Sequence, residues 1–374
     1  MKILITGGMG FIGRAVALRL LRRDVSDVYI LDILSPKIHG EKAAPFDFGD
    51  ARVRFVKGDV SRREDIEPLL REVDLVLHLA AETGTGQSMY EVEQYNRVNI
   101  SGTALMFDIL SNKPHNVRKI VVASSRAIYG EGKYSCAAHG VVYPGTRDAG
   151  DMEKGDFEVK CPVCGRPASC LSTTEDSLIH PASFYGITKQ FQEVMVMTLA
   201  KNLGISPVAL RYQNVYGPGQ SLSNPYTGII SIFSNLIRAG RDIPVFEDGR
   251  ESRDFIYIDD IADATVEAMF NDRAAGHVLN VGSGLATDVK FLAETLVHIF
   301  QAKVKVVVNG KFRTGDIRHN YADLARARDV LGFAPQVSLA EGLRQFAGWA
   351  GRQGKPPDLY DRSIEEMRKV GMYK

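Results

Sequence analysis

The stretch that most constrains this chain is its beginning. Lys2 to Thr6 is a strand-like apolar run, Gly7-Gly8-Met9-Gly10-Phe11-Ile12-Gly13 follows, and an amphipathic helical pattern continues to about Arg23. Gly7, Gly10 and Gly13 make a GxxGxxG pattern. Glycines so placed allow a tight turn, close approach of backbone to a pyrophosphate, and close packing of helix on strand. The phosphates would lie at the helix N-terminus, beside Phe11 and Ile12, where amides are unpaired and the dipole is positive. A second strand, Val28 to Leu31, ends at Asp32. An acid there hydrogen-bonds a ribose 2′-hydroxyl and repels a 2′-phosphate, which predicts NAD over NADP.

Further strand-like runs cover Val53 to Lys57, Leu75 to Leu79, Lys119 to Ala123 and Val208 to Tyr212, with helical segments Ser61 to Arg71 and Val92 to Leu110 between them. Such alternation predicts a parallel sheet covered on both faces, with ligands outside the carboxyl ends of its strands. Asp32, Asp59, Ala80 and Ser125 fall at those ends. The expected fold is α/β: a doubly wound, Rossmann-type parallel sheet over residues 1–212, then a smaller mixed α/β substrate domain over 213–352. Helical stretches are expected at 228–239, 261–270, 289–299 and 339–349. Pro244 to Gly249 is expected to give backbone contacts to a nucleotide base. The tail, 353–374, is charged and without a legible role.

Tyr185 and Lys189 stand four apart ahead of an apolar helical run, Phe191 to Leu203. On a helix they share a face. An ammonium beside a phenol favours the phenolate, so Tyr185 is expected to act as a general base near neutral pH.

The motifs occur in the order found in one family over residues 1 to about 350. They include Thr6 to Gly13, His78-Leu79-Ala80-Ala81, Val98 to Thr103, Ser124 to Gly130, Tyr185-x-x-x-Lys189, Arg211 to Pro218, Arg253 to Asp260, Asn280 to Gly284, and Gly315-Asp316-Ile317-Arg318. The chain resembles the extended short-chain dehydrogenases/reductases, in their nucleotide-sugar epimerase and dehydratase branch. The resemblance implies that Ser125, Tyr185 and Lys189 are catalytic. It also implies that Asp59, Val60, Leu79, Ala80, Ala81 and Asn99 join the glycine loop, Asp32, Tyr185 and Lys189 in holding NAD. Thr85, Ser125, Arg126, Asn214, Arg253 and Arg318 are the implied substrate contacts, and arginine forks suit phosphate oxygens. Sugar 4,6-dehydratases of this family carry an aspartate and a glutamate where Arg126 and Ala127 stand here, so dehydration is not expected. Together with the cysteine insertion, Glu82 to Tyr90 and Ser223 to Gly228 look most like the branch that epimerises dTDP-L-rhamnose at C4. The implied activity is a nucleotide-sugar 4-epimerase; a UDP-hexose 4-epimerase, or a 4-reductase or dehydrogenase, stays open at this point, with a non-catalytic dinucleotide sensor further behind.

Residues 131–180 interrupt the family pattern. They hold Cys136-x-x-His139 and Cys161-x-x-Cys164, then Cys170. Two ligand pairs, each spaced two apart, suit a tetrahedral zinc site on Cys136, His139, Cys161 and Cys164, with Cys170 as an alternative to His139. A metal there would be structural. The net charge is only +1, so no broad field recruits nucleic acid or an anionic membrane. No signal-peptide layout precedes the first strand, which predicts a cytoplasmic protein, expected as a homodimer.

Overall fold

The computed structural model describes residues 1–40, 43–224, 228–354 and 360–374. Pro225 to Thr227, part of one segment used above, lie outside the described residues.

Seven strands form one parallel sheet: β1 (Lys2–Thr6), β2 (Asp27–Asp32), β3 (Val53–Lys57), β4 (Leu75–His78), β5 (Lys119–Ser125), β6 (Ser206–Tyr212) and β7 (Val278–Val281), in the order β3-β2-β1-β4-β5-β6-β7. Successive side chains on a strand face opposite sides. Ile3 and Ile5 of β1 therefore enter one core, with Val16, Ala17 and Leu20 of helix α1 (Phe11–Leu20), while Leu4 enters the other, with Ile66 and Leu70 of α2 (Arg63–Glu72) and Met106 and Leu110 of α3 (Gly102–Asn112). Each such side chain, fully buried, contributes roughly 2 kcal/mol. Double coverage explains why the strands read as continuous apolar runs.

The order reverses between β1 and β4, where Thr6 stands beside Leu31 on one side and His78 on the other. The crevice above that reversal is where such sheets take ligands. Tyr185 and Lys189 lie on α4 (Phe184–Met195), which Ser183 opens by accepting a hydrogen bond from the Gly186 amide at 3.2 Å.

The division at residue 212 does not follow the sheet. β7 pairs with β6, Val281 beside Tyr212, and α5 (Ile258–Phe270) packs on α1. The chain builds the smaller lobe from segments on both sides of its return to the sheet. Without β7 the outer edge of β6 would be left unpaired. The smaller lobe has its own core, which includes Phe233, Val245, Leu292 and Phe346.

The insertion is a three-stranded antiparallel unit, Tyr134–Cys136, Gly140–Val142 and Ser169–Cys170, around Tyr134, Val142 and Val159. Buried Arg147 ties it to the smaller lobe through two bonds to the Glu247 carboxylate, at 2.9 and 2.7 Å. Among the described residues no helix is long and apolar enough to cross a membrane.

Candidate active site

A cleft of about 720 Å³ runs from the glycine loop to the smaller lobe. Gly7, Gly10, Phe11, Ile12 and Gly13 line one end. Gly7 has a φ of 70°, and a Cβ there would stand 2.8 Å from the Ala80 amide nitrogen. A Cβ on Gly13 would stand 2.5 Å from the Gly8 Cα. Gly10 begins α1 with no side-chain cap, which leaves the first-turn amides unpaired by side chains. These residues fit a dinucleotide pyrophosphate.

Asp32 is oriented by accepting from the Met9 amide at 2.9 Å and the Leu34 amide at 2.8 Å. Asp59 accepts from the Ser61 amide and hydroxyl and from Arg97. Burial would raise its carboxyl pKa, but these bonds hold it below the usual range. Val60, Leu79, Ala80 and Ala81 also line this part of the cleft.

Asn99 does not. Its Oδ1 accepts from the Glu82 amide at 2.8 Å, and its Nδ2 donates to the Glu82 carbonyl at 3.1 Å and the Thr188 hydroxyl at 2.9 Å. With both amide hydrogens donated and its oxygen accepting from Glu82, Asn99 fixes the Ala81–Glu82 loop against α4. The expected cofactor contact is corrected to that indirect role.

Ser125, Tyr185 and Lys189 meet at the middle of the cleft. Ser125 ends β5, its Oγ accepts from the Ala127 amide at 3.1 Å, and its hydroxyl lies near enough to the Tyr185 phenol to favour the ionised form. A Cβ on Gly186 would stand 2.5 Å from the Ala127 carbonyl oxygen, so only glycine lets α4 lie this close to the Ser125 turn.

The electrostatics differ from the expectation. Burial pushes the Tyr185 pKa up; the Ser125 hydrogen bond and the Arg126 charge act against it. Lys189 is not the nearby cation that lowers the phenol. Its Nζ donates to Gln192 Oε1 at 2.6 Å, and burial brings its own pKa down to about 7, opposed by Glu193. Gln192 is held in turn by Thr103 at 3.0 Å, and buried His78, kept neutral with a pKa of about 3, bonds Thr6 and Thr103. This chain anchors Lys189 to the floor of the sheet.

Toward the smaller lobe, Arg126 donates through Nε to Asn214 Oδ1 at 2.9 Å, and burial lowers its pKa to about 10. Arg253 lines the cleft and donates to Asp316 Oδ1 at 3.0 Å. Thr85 also lines the cleft. Pro244, Phe246 and Glu247 are in the lining, as the base-contact reading of Pro244 to Gly249 requires.

Arg318 lies elsewhere. It is fully buried outside the cleft lining and bonds Glu247, Asp248 and Glu158. The expected substrate contact is therefore corrected to a structural ion cluster. The sequence reading missed Arg313, which lines the cleft 3.1 Å from Asp316 and stacks over Phe246. Its signal was the Arg313-x-Gly315-Asp316 spacing, three residues ahead of the acid rather than two behind it. Burial would raise the Asp316 carboxyl, but Arg313, Arg253, Arg126 and Arg147 hold it well below the usual range.

In the insertion, Cys136 Sγ lies 3.6 Å from His139 Nδ1 and 3.7 Å from Cys164 Sγ, and Cys161 Sγ lies 3.6 Å from His139 Nδ1. All four donor atoms lie within 4.8 Å of one another. Cys170 stands outside this group and bonds the Leu171 carbonyl.

A glycine cradle at a sheet reversal, a Ser-Tyr-Lys centre and an arginine-lined lobe define an NAD-dependent enzyme of the short-chain dehydrogenase/reductase type. The chain belongs to the NAD dependent epimerase/dehydratase family, whose model matches residues 3–144 and 161–282. It is 39% identical over 356 residues to a dTDP-L-rhamnose 4-epimerase from Burkholderia thailandensis, covering 94% of this chain and 95% of that one. Among solved structures, UDP-glucose 4-epimerase from Thermotoga maritima with UDP-glucose is similar at a TM-score of 0.75 and 28% identity, covering 94% of this chain and 99% of that one. A UDP-glucuronic acid 4-epimerase from Bacillus cereus, in complex with UDP-glucuronic acid and NAD, gives 0.77 and 25%, with the same coverage.

The two arginines should separate by measurement. Arg313→Ala should raise the substrate KM tenfold or more, since a hydrogen bond to a charged group is worth about 1.5–3 kcal/mol, and leave NAD binding intact. Arg318→Ala should leave KM near wild type and lower the unfolding free energy by about 2 kcal/mol, because it removes charged hydrogen bonds to Glu247, Asp248 and Glu158 from a fully buried position. Kinetics and denaturant melts of both variants check this; a KM effect confined to Arg318→Ala would reverse the assignment.

Proposed function

We propose that this chain is a nucleotide-sugar 4-epimerase acting on a dTDP-6-deoxyhexose, with dTDP-L-rhamnose the leading substrate. The observation that carries the reading is the meeting of Ser125, Tyr185 and Lys189 in a cleft that joins a dinucleotide cradle to an arginine-lined lobe. Arg126 and Ala127 after Ser125 leave no acid pair to expel water from the sugar. The 39% identity to the Burkholderia thailandensis protein supports the choice of sugar and base.

Tyr185 takes the proton of the sugar O4 hydroxyl, and Ser125 hydrogen-bonds that oxygen through the change. A bound NAD supplies hydride acceptance and return at C4, and its positive ring favours ionised Tyr185. Lys189, anchored by Gln192, is positioned for the nicotinamide ribose. Arg253, Arg313 and Asn214 hold the diphosphate while the 4-keto sugar turns over to present the opposite face of C4, and Tyr185 then returns the proton to O4. Wild type should bring either C4 epimer to one equilibrium mixture with no added cofactor. Tyr185→Phe should fold and retain NAD but lose at least a hundredfold in turnover, because general acid–base catalysis contributes about 10²–10⁴. Product chromatography with dTDP-L-rhamnose reads both. Near wild-type turnover in the variant removes Tyr185 from the mechanism, and conversion of UDP-hexoses alone moves the reading to that substrate.

The insertion supports a structural zinc. Tetrahedral coordination at about 2.3 Å for sulfur and 2.0–2.1 Å for nitrogen puts ligand atoms roughly 3.6–3.8 Å apart. The Cys136–His139, Cys136–Cys164 and Cys161–His139 distances of 3.6, 3.7 and 3.6 Å match. Elemental analysis of protein purified without chelator should find one zinc per chain, lost in Cys161→Ser; a metal-free wild type contradicts the site. A homodimer is supported by exposed apolar Val92, Phe191, Val194 and Leu199 on two adjacent helical segments, a surface suited to pairing with a second copy.

A further inference from the structure

The tail without a legible role forms part of the cleft. Helix α6 (Tyr360–Lys369) places Tyr360, Ser363, Ile364 and Met367 in the lining. Their spacing puts them on one face of a helix. Beyond α6 the last residues bind to the smaller lobe. The Thr314 amide donates to the Met372 carbonyl at 2.9 Å, and Phe312 and Lys374 exchange backbone bonds at 3.1 Å. Tyr373 packs its ring on Phe246, over which Arg313 also lies. The tail is thus tied to the segment that carries Arg313.

The other end of α6 reaches the larger lobe. Met367 is buried, with its sulfur 3.8 Å from where a Cβ on Gly86 would stand. Gly86 belongs to the loop whose Ser88 hydroxyl accepts from the Tyr185 amide at 2.9 Å. From Tyr360 to Met367 the helix rises about 10 Å. It therefore runs along the cleft from the arginine-lined lobe to the loop beside the reacting centre. The other side chains in this part of the cleft, Thr85, Ser125, Arg126, Tyr185 and Asn214, are all polar. Ile364 and Met367 supply an apolar strip with no donor or acceptor comparable to a hydroxyl or amide.

We propose that Ile364 and Met367 contact the sugar at its C5 substituent and select a methyl group there over a hydroxymethyl group. The proposal rests on the epimerase reading and names the residues behind its substrate class. A hydroxyl against this strip loses its water partners without replacement, whereas a methyl loses none. Apolar pockets reject an added hydroxyl by about a hundredfold.

The test is the ratio of kcat/KM for a dTDP-6-deoxyhexose to that for the matching dTDP-hexose, in wild type, Met367→Gln, Ile364→Ser and Met367→Leu. Wild type should favour the 6-deoxy sugar by about a hundredfold. Met367→Gln and Ile364→Ser should each lower the ratio at least fivefold with copurified NAD unchanged, while Met367→Leu should keep it. Should Met367→Gln not fold, Ile364→Ser, at a less buried position, reads the same ratio. A wild type that epimerises both sugars equally, or polar variants that leave the ratio intact, overturns the proposal while the epimerase stands. A wild type that epimerises neither sugar overturns both.

Discussion

Helix α4 lies against the turn after β5 with no room for a methyl group between them: a Cβ on Gly186 would sit 2.5 Å from the Ala127 carbonyl oxygen. Everything the site does depends on that approach. It brings the Tyr185 phenol to Ser125, two elements separated in sequence by the whole insertion, and it fixes the phenol in a place where water is scarce. The sheet makes the contact reproducible. Ser125 ends a strand hydrogen-bonded on both sides, and α4 is pinned from below by the Gln192–Thr103 and Asn99–Thr188 bonds.

Burial has a chemical cost that the surrounding charges offset. A phenol this enclosed resists ionisation. The counterweight is Arg126, held by Asn214 and drawn with three other guanidinium groups around Asp316. Asp316 keeps like-charged arginines together beside the centre, and two of them, Arg253 and Arg313, line the same cleft. In the proposed mechanism one half-buried carboxylate would thereby serve both phosphate recognition and proton transfer. Burial brings the Lys189 pKa down to about 7, opposed by the Glu193 charge.

Much of this was legible in the sequence because the signals are local. Continuous apolar runs mark β1 to β6, the glycine loop marks the cradle, and a spacing of four puts Tyr185 and Lys189 on one helical face. The four metal-type ligands were legible as two local pairs that the insertion folds together. What escaped depends on how distant segments pack. β7 is four residues long and far from its partner, so nothing local assigns it to the main sheet. Arg318 and Arg313 flank one acid in a charged turn, and only the fold decides which guanidinium faces the cleft. Asn99 is polar at a motif position, yet its amide is spent on the chain itself. The helix at 360–369 shows an apolar pair in a charged tail, a pattern that gains meaning only when Gly86 and Phe312 meet it.

The central claim is that Tyr185 and Ser125 drive a reversible oxidation at C4 whose hydride never leaves the cleft. A dTDP-L-rhamnose carrying deuterium at C4 tests it most directly. With protein as purified and no added cofactor, the account predicts that the epimer formed keeps its deuterium at C4, with no exchange into water or added NAD. Loss of the label to solvent, or its appearance in free reduced cofactor in step with turnover, would contradict it.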